Sequence, residues 1–169
     1  MSTDLYRFTV PLLTRGLSIL ATYMDKAIEH AKATGTSEDV MFKARLASDM
    51  SALSGQIQMA SDKAKNGVAR LTGTAAPAYP DTETTFHELS LRIAKTKNFV
   101  DTITPDQFEG AGDRLVELRY KGAIRTMNGH DYLTKVLLPD FYFHIATTHG
   151  ILRHRGLAVG KADYLGDVP

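Results

Sequence analysis

Leu137-Leu138-Pro139-Asp140-Phe141-Tyr142-Phe143-His144-Ile145-Ala146-Thr147-Thr148-His149-Gly150-Ile151-Leu152-Arg153-His154-Arg155-Gly156 sets Asp140, His144 and Thr148 at i, i+4 and i+8 beside Leu137 and Ile151. On a helix those polar groups share one stripe with apolar core residues. Polar groups in a core have to be bonded to something, so the stripe marks both a buried helix and a candidate site. The helix is expected from about Gly129, capped by Asn128, to Arg155, with Gly156 as its terminator. Pro139 must kink it or interrupt one turn, because proline has no N–H and crowds the carbonyl four residues back.

Working outward, three more apolar seams appear. Tyr6, Val10, Leu13, Leu17, Leu20, Met24, Ala27 and Ala31 step by four and three, which predicts one long helix closed by Thr34-Gly35-Thr36. Pro11 lies either in its first turn or at a kink. Ser37, Glu38 and Asp39 can start a short helical turn before Arg45. The second long helix is expected from Ser48-Asp49, with Met50, Leu53, Ile57, Ala60, Ala64, Val68 and Leu71 as its seam up to Thr72-Gly73. Ala75-Ala76-Pro77-Ala78-Tyr79-Pro80 cannot be helical through its prolines and reads as an extended crossing. Thr85 and Glu88 form a possible capping box ahead of the third seam, Phe86, Leu89, Ile93, Val100 and Ile103, which stops near Thr104-Pro105. The period then changes from helix to strand. Val116, Leu118 and Tyr120 alternate with Glu117 and Arg119, Lys121-Gly122 sits at a turn, and Ile124 and Thr126 alternate with Arg125 and Met127, so a small hairpin is expected between the third and fourth helices. The tail residues Leu157, Val159, Tyr164 and Leu165 are expected to dock on the bundle.

The 169 residues predict one all-α domain, a four-helix bundle with a small β-hairpin, spanning 1–169. With 43% hydrophobic residues, 23% charged residues and a formal net charge of +1, the chain has no concentrated excess of basic groups, which argues against nucleic acid and anionic membranes as partners. There is no cysteine, hence no disulfide, thiolate metal site or cysteine nucleophile, and a reducing cytoplasm is the expected setting. No leader segment and no membrane span is expected. A homodimer is expected, with small residues such as Ala21, Ala52 and Gly55 on outer faces.

Several segments in order resemble the bacterial domain-of-unknown-function 1993 family. They include Arg15-Gly16-Leu17, Arg45-Leu46-Ala47-Ser48-Asp49-Met50, Gln56-Ile57-Gln58-Met59-Ala60-Ser61-Asp62, Asp81 to Leu89, Arg92-Ile93-Ala94-Lys95-Thr96, Phe108-Glu109-Gly110, Leu138 to His144 and Gly160 to Gly166. That family resembles the DinB and YfiT-like bundles, several of which hold a divalent metal and some of which transfer low-molecular-weight thiols. The metal pattern the resemblance implies is a histidine on the second helix plus two at i, i+4 on the fourth. Here His144 matches the first of that pair, Thr148 stands at i+4, and the second helix has no histidine. His149 lies five residues from His144, rotated by about 140°. The metal site is therefore degenerate. No cofactor is expected; a weak divalent site, if any, would use His144 and Asp49.

His144 reads either as a ligand or general base, and hence the catalytic candidate, or as a core histidine bonded to a carboxylate or carbonyl. Asp140 either orients that ring or is a surface carboxylate at the kink. Asp49 and Gln56 flank the second seam and are the best partners for His144, although Asp49 can equally cap its helix and Gln56 can simply bridge by hydrogen bonds. Phe141-Tyr142-Phe143 either walls an apolar pocket or is ordinary packing. The ligand-pocket set is Asp49, Gln56, Asp140, Tyr142, His144 and Thr148. Two functions follow from it: a small-molecule site around His144 on a DinB-like bundle, or a non-catalytic structural or stress-related scaffold whose Asp/Gln/His network only fixes helix packing. No Gly-rich phosphate loop, nucleophile elbow or paired catalytic carboxylates occur.

Overall fold

The computed structural model describes residues 2–166. Four long helical segments form the bundle: α1 (Ser2–Thr34), α3 (Leu53–Thr72), α4 (Phe86–Asp101) and a fourth made of α5 (Gly129–Tyr132), a wide turn and α6 (Leu138–His154). A short α2 (Glu38–Phe42) follows α1, and α7 (Lys161–Leu165) ends the tail. The fold is the expected helical bundle with its hairpin. No helix among the described residues is long and apolar enough to cross a membrane.

The seams do the packing. Leu13, Leu17, Leu20, Met24 and Ala27 of α1, Leu53, Ile57, Ala60, Ala64, Val68 and Leu71 of α3, and Phe86, Leu89 and Val100 of α4 are all fully buried. Each large aliphatic among them contributes about 1.5–3 kcal/mol by leaving water. Around the bundle α1 packs chiefly on α4 and α6, and α3 on α6 and α4. Gly16 lets α6 pack closely on α1: a Cβ there would overlap the ring of Phe141 and the tip of Ile145. α1 continues unbroken past Pro11, which is exposed and lies beyond the first turn, neither in that turn nor ending the helix.

Two boundaries differ from the sequence expectation. The second long helix starts at Leu53, not at Ser48-Asp49, because the Leu53 N–H is taken by the Ala44 carbonyl at 2.8 Å and Met50 closes a turn onto Ala47. Asp49 is thus neither on the helix nor its cap; Ala52 holds the cap position. The third helix stops at Asp101, and a 3₁₀ turn over Pro105–Phe108 follows. The capping box at its start is present, with Glu88 N–H to Thr85 Oγ1 at 3.2 Å and Thr85 N–H to Glu88 Oε2 at 3.1 Å. Arg92, 2% exposed, ties that helix down: it bonds Glu83 Oε1 at 3.0 Å, Asp62 Oδ1 at 3.0 Å, Asp81 Oδ1 at 2.9 Å and the Pro80 carbonyl at 3.1 Å. One guanidinium therefore joins the proline-rich crossing to α3 and α4.

β1 (Leu115–Tyr120) and β2 (Ala123–Asn128) pair antiparallel, Val116 facing Met127 and Leu118 facing Arg125. Lys121 and Gly122 turn the hairpin with φ of 49° and 78°, the pair of positive values that a two-residue turn of matching twist requires. Asn128 caps α5, its Oδ1 accepting from Asp131 N–H at 2.8 Å. The Pro139 interruption is a π-helical turn over Leu133–Leu137, in which Leu138 N–H reaches the Leu133 carbonyl. Widening the turn just ahead of the proline makes room for its ring and leaves the spacing of α6 intact beyond it. In the tail, Leu157 and Val159 are buried and Tyr164 half-buried, whereas Leu165 docks through its carbonyl, a 2.9 Å acceptor for Arg15 Nε, and leaves its side chain out.

Candidate functional site

α3 and α6 run antiparallel, so a residue later on α3 meets one earlier on α6, and the long Lys63 side chain spans the remaining offset. Gln56 and Lys63 of α3 face His144 and Asp140 of α6 in that order. His144, 6% exposed, has Nδ1 2.9 Å from Gln56 Oε1 and Nε2 3.1 Å from Asp140 Oδ1. The other Asp140 oxygen accepts from Lys63 Nζ at 2.7 Å. The Gln56 amide nitrogen donates to the Ser51 carbonyl at 3.1 Å, which orients its oxygen toward the ring. Both ring nitrogens thus face acceptors, a Gln56 amide oxygen at Nδ1 and an Asp140 carboxylate oxygen at Nε2. The His144 N–H beside it holds the Asp140 carboxyl down at about 2, helped by Lys63 and opposed by partial burial.

The structure sorts the candidate residues. Gln56, Asp140 and His144 come together. Thr148 stays on the same stripe, but its hydroxyl donates back to the His144 carbonyl at 2.9 Å. Tyr142, two residues before His144, turns to the opposite side of α6 and donates to the Leu12 carbonyl at 2.9 Å, where burial pushes its phenol up; it is no part of the His144 site. Asp49 is exposed on the loop before α3 and is not among the partners of His144, so the His144–Asp49 ligand pair does not form. Lys63 escaped the sequence reading. The seven-residue step that linked Asp49 to Gln56 reaches Lys63 when taken once more along the helix.

His149 belongs to a different cluster, bonding Tyr23 at 2.7 Å through Nδ1 and packing on Tyr164 of the tail. Burial raises the Tyr23 phenol, with Asp163 and Tyr164 adding to the effect. Among the described residues no group of three or more His, Cys, Asp or Glu side chains could hold a metal ion. The second-helix partner of His144 is an amide already bonded to backbone, and the residue at i+4 is a threonine turned to its own helix. These residues do not fit a three-ligand metal centre.

Asp140 also opens outward. It lines a cleft of about 460 Å³ between the hairpin, the C-terminal half of α3 and the wide turn of the fourth helix. Lys63 and Arg70 come from α3, Leu118, Arg119, Tyr120, Arg125 and Met127 from the hairpin, and Tyr132, Lys135, Val136, Leu137 and Pro139 from the fourth helix. His144 lies behind this wall and reaches the cleft only through Asp140.

Comparison with known proteins places the architecture. A solved crystal structure of a DinB family member protein from Shewanella denitrificans is 38% identical, with a TM-score of 0.92 and coverage of 99% of this chain and 95% of that one. No curated protein matches. The model of one family, described as a domain of unknown function, matches residues 5–165, and with that span the chain belongs to the DUF1993 family.

Proposed function

We propose that the chain binds a small molecule in the cleft between the hairpin and the fourth helix, with Asp140 on its inner wall. One observation carries this reading: Asp140 belongs at once to the buried His144–Gln56 network and to the lining of a solvent-reached cavity. A carboxylate held on both oxygens is a rigid wall group, and rigid polar groups in a mostly apolar concavity are what orient a ligand. His144 is then a positioning residue acting through Asp140. Neither of its ring nitrogens is left free to move a proton.

The closed ring supports a second reading, in which the network only fixes the register of α3 on α6 and the protein is a non-catalytic scaffold. A thermal-shift screen of small molecules, with backbone amide shifts mapped for each hit, separates the two. Hits that move Met127, Val136 and Asp140 support the cleft. A screen without hits, or with hits that map elsewhere, leaves the scaffold.

The ligand set also makes tight divalent metal unexpected, since one imidazole, one amide and one carboxylate already bonded among themselves bind weakly. Elemental analysis of untagged protein purified without chelator, beside His144→Ala, tests this. Stoichiometric metal that disappears in the variant overturns it. The assembly proposed is a homodimer.

A further inference from the structure

We infer that the ligand of this cleft is an amphipathic organic anion, a carboxylate or phosphate ester on an apolar body. The inference rests on the cleft being the binding site and names what the site would take. Its lining carries five cations, Lys63, Arg70, Arg119, Arg125 and Lys135, against the single carboxylate of Asp140, on a chain whose net charge is only +1. That one carboxylate is already used, one oxygen by His144 and the other by Lys63. The remaining cations are held loosely or not at all. Lys135 pairs with Asp131 at 2.9 Å, but both side chains are exposed and such a pair exchanges readily for a better acceptor. Among the described residues Arg70 reaches only the Tyr132 hydroxyl, at 3.3 Å, and the face of its ring. Arg119 and Arg125 take part in none of the ion pairs among the described residues.

A guanidinium presents a planar fork that matches an oxyanion on two atoms, and low-dielectric walls concentrate the field of several such groups into the space between them. Between the cations lie Leu118, Met127 and Val136, which offer contact to hydrocarbon and no charge. The volume of about 460 Å³ fits one small molecule and excludes a folded polyanion.

The test uses two dyes with the same aromatic body, 8-anilinonaphthalene-1-sulfonate, which is anionic, and N-phenyl-1-naphthylamine, which is neutral. Fluorescence titration is run on the wild-type protein and on the double variant Arg119→Glu, Arg125→Glu, whose exposed hairpin positions leave the bundle core untouched; circular dichroism checks the fold. The anionic dye is expected to bind the wild type about tenfold more tightly than the neutral one, to lose that advantage in the variant, and to weaken as salt rises from roughly 50 to 500 mM. Octanoate and octyl phosphate then compete in separate titrations, and the one that displaces the dye at lower concentration identifies the head group. Equal binding of the two dyes, or anionic-dye binding that ignores the double substitution, overturns the inference while leaving the cleft as the site, provided amide shifts map there. Dyes whose amide shifts lie outside the cleft, or that do not bind, overturn both.

Discussion

At Asp140 and His144 the chemistry of the site reduces to bonds that can be removed singly. His144→Ala strips the partner from a buried Gln56 oxygen and opens a cavity between α3 and α6, so it is expected to cost about 2–4 kcal/mol in urea denaturation. A loss under about 0.5 kcal/mol would show that the network does not hold the helices. Asp140 adds a pH signature of definite sign. Its folded carboxyl sits at about 2, below the ordinary value of about 3.9 for an unfolded chain, so its contribution is fully present above roughly pH 4 and is lost as pH falls toward 2. Wild type and Asp140→Asn should therefore differ in urea midpoint at neutral pH and converge between about pH 4 and pH 2. A gap unchanged across that window would mean that the carboxylate is not preferentially stabilised in the fold. The residues legible in the sequence were those fixed by spacing on one helix: Asp140, His144 and Thr148 share a stripe wherever α6 begins. Gln56 was legible as a seam-edge residue. Asp49 was misplaced because its assignment depended on a helix start, which a single backbone bond from Leu53 to Ala44 moved. Tyr142 was misplaced because adjacency in sequence does not mean adjacency on a helix.

The elements are held by local signals and by one long-range tie. The Thr85–Glu88 box, the alternation of the hairpin and the apolar seams could all be read because each is decided within a few residues. The π-helical turn could not be placed: Pro139 says that the helix must yield, but whether it kinks, breaks or widens depends on what packs against Leu133 and Leu137, both buried. Arg92 was equally hidden, since its partners Asp62, Asp81 and Glu83 come from α3 and the crossing and meet only in the fold. Arg92→Ala should cost about 3–5 kcal/mol, because it leaves Glu83 partly buried without its cation and frees the crossing from α4. Arg92→Met, which keeps the packed stem, should cost less. Urea midpoints for the two variants check the order; equal midpoints would assign the stability to the charge and its bonds and not to the packed stem.

For the whole molecule, periodicity shows which face of each helix is apolar but not which neighbour covers it, so the bundle was legible and the pairing of α1 with α4 and of α3 with α6 was not. The same limit governs assembly. Phe143 is 55% exposed and Leu46 45%, and a side chain at Gly150 would meet Leu46. Gly150 stands seven residues after Phe143, so the two mark one outer face of α6 together with Ala146. Ala52 and Gly55, the small residues expected at an interface, are half-buried at the start of α3, while Ala21 is partly packed against the core of its own chain. A stable two-fold contact needs about 800 Å² from each partner, more than one aromatic ring supplies, so a dimer through this face must bury Phe143, Ala146 and Leu46 together. Light scattering at roughly 20 µM is expected to give a dimer mass for the wild type and a monomer mass for Phe143→Glu, with helical circular dichroism unchanged in the variant. A monomer mass for the wild type would rule out the homodimer. A dimer mass in both would move the interface to another face of the bundle.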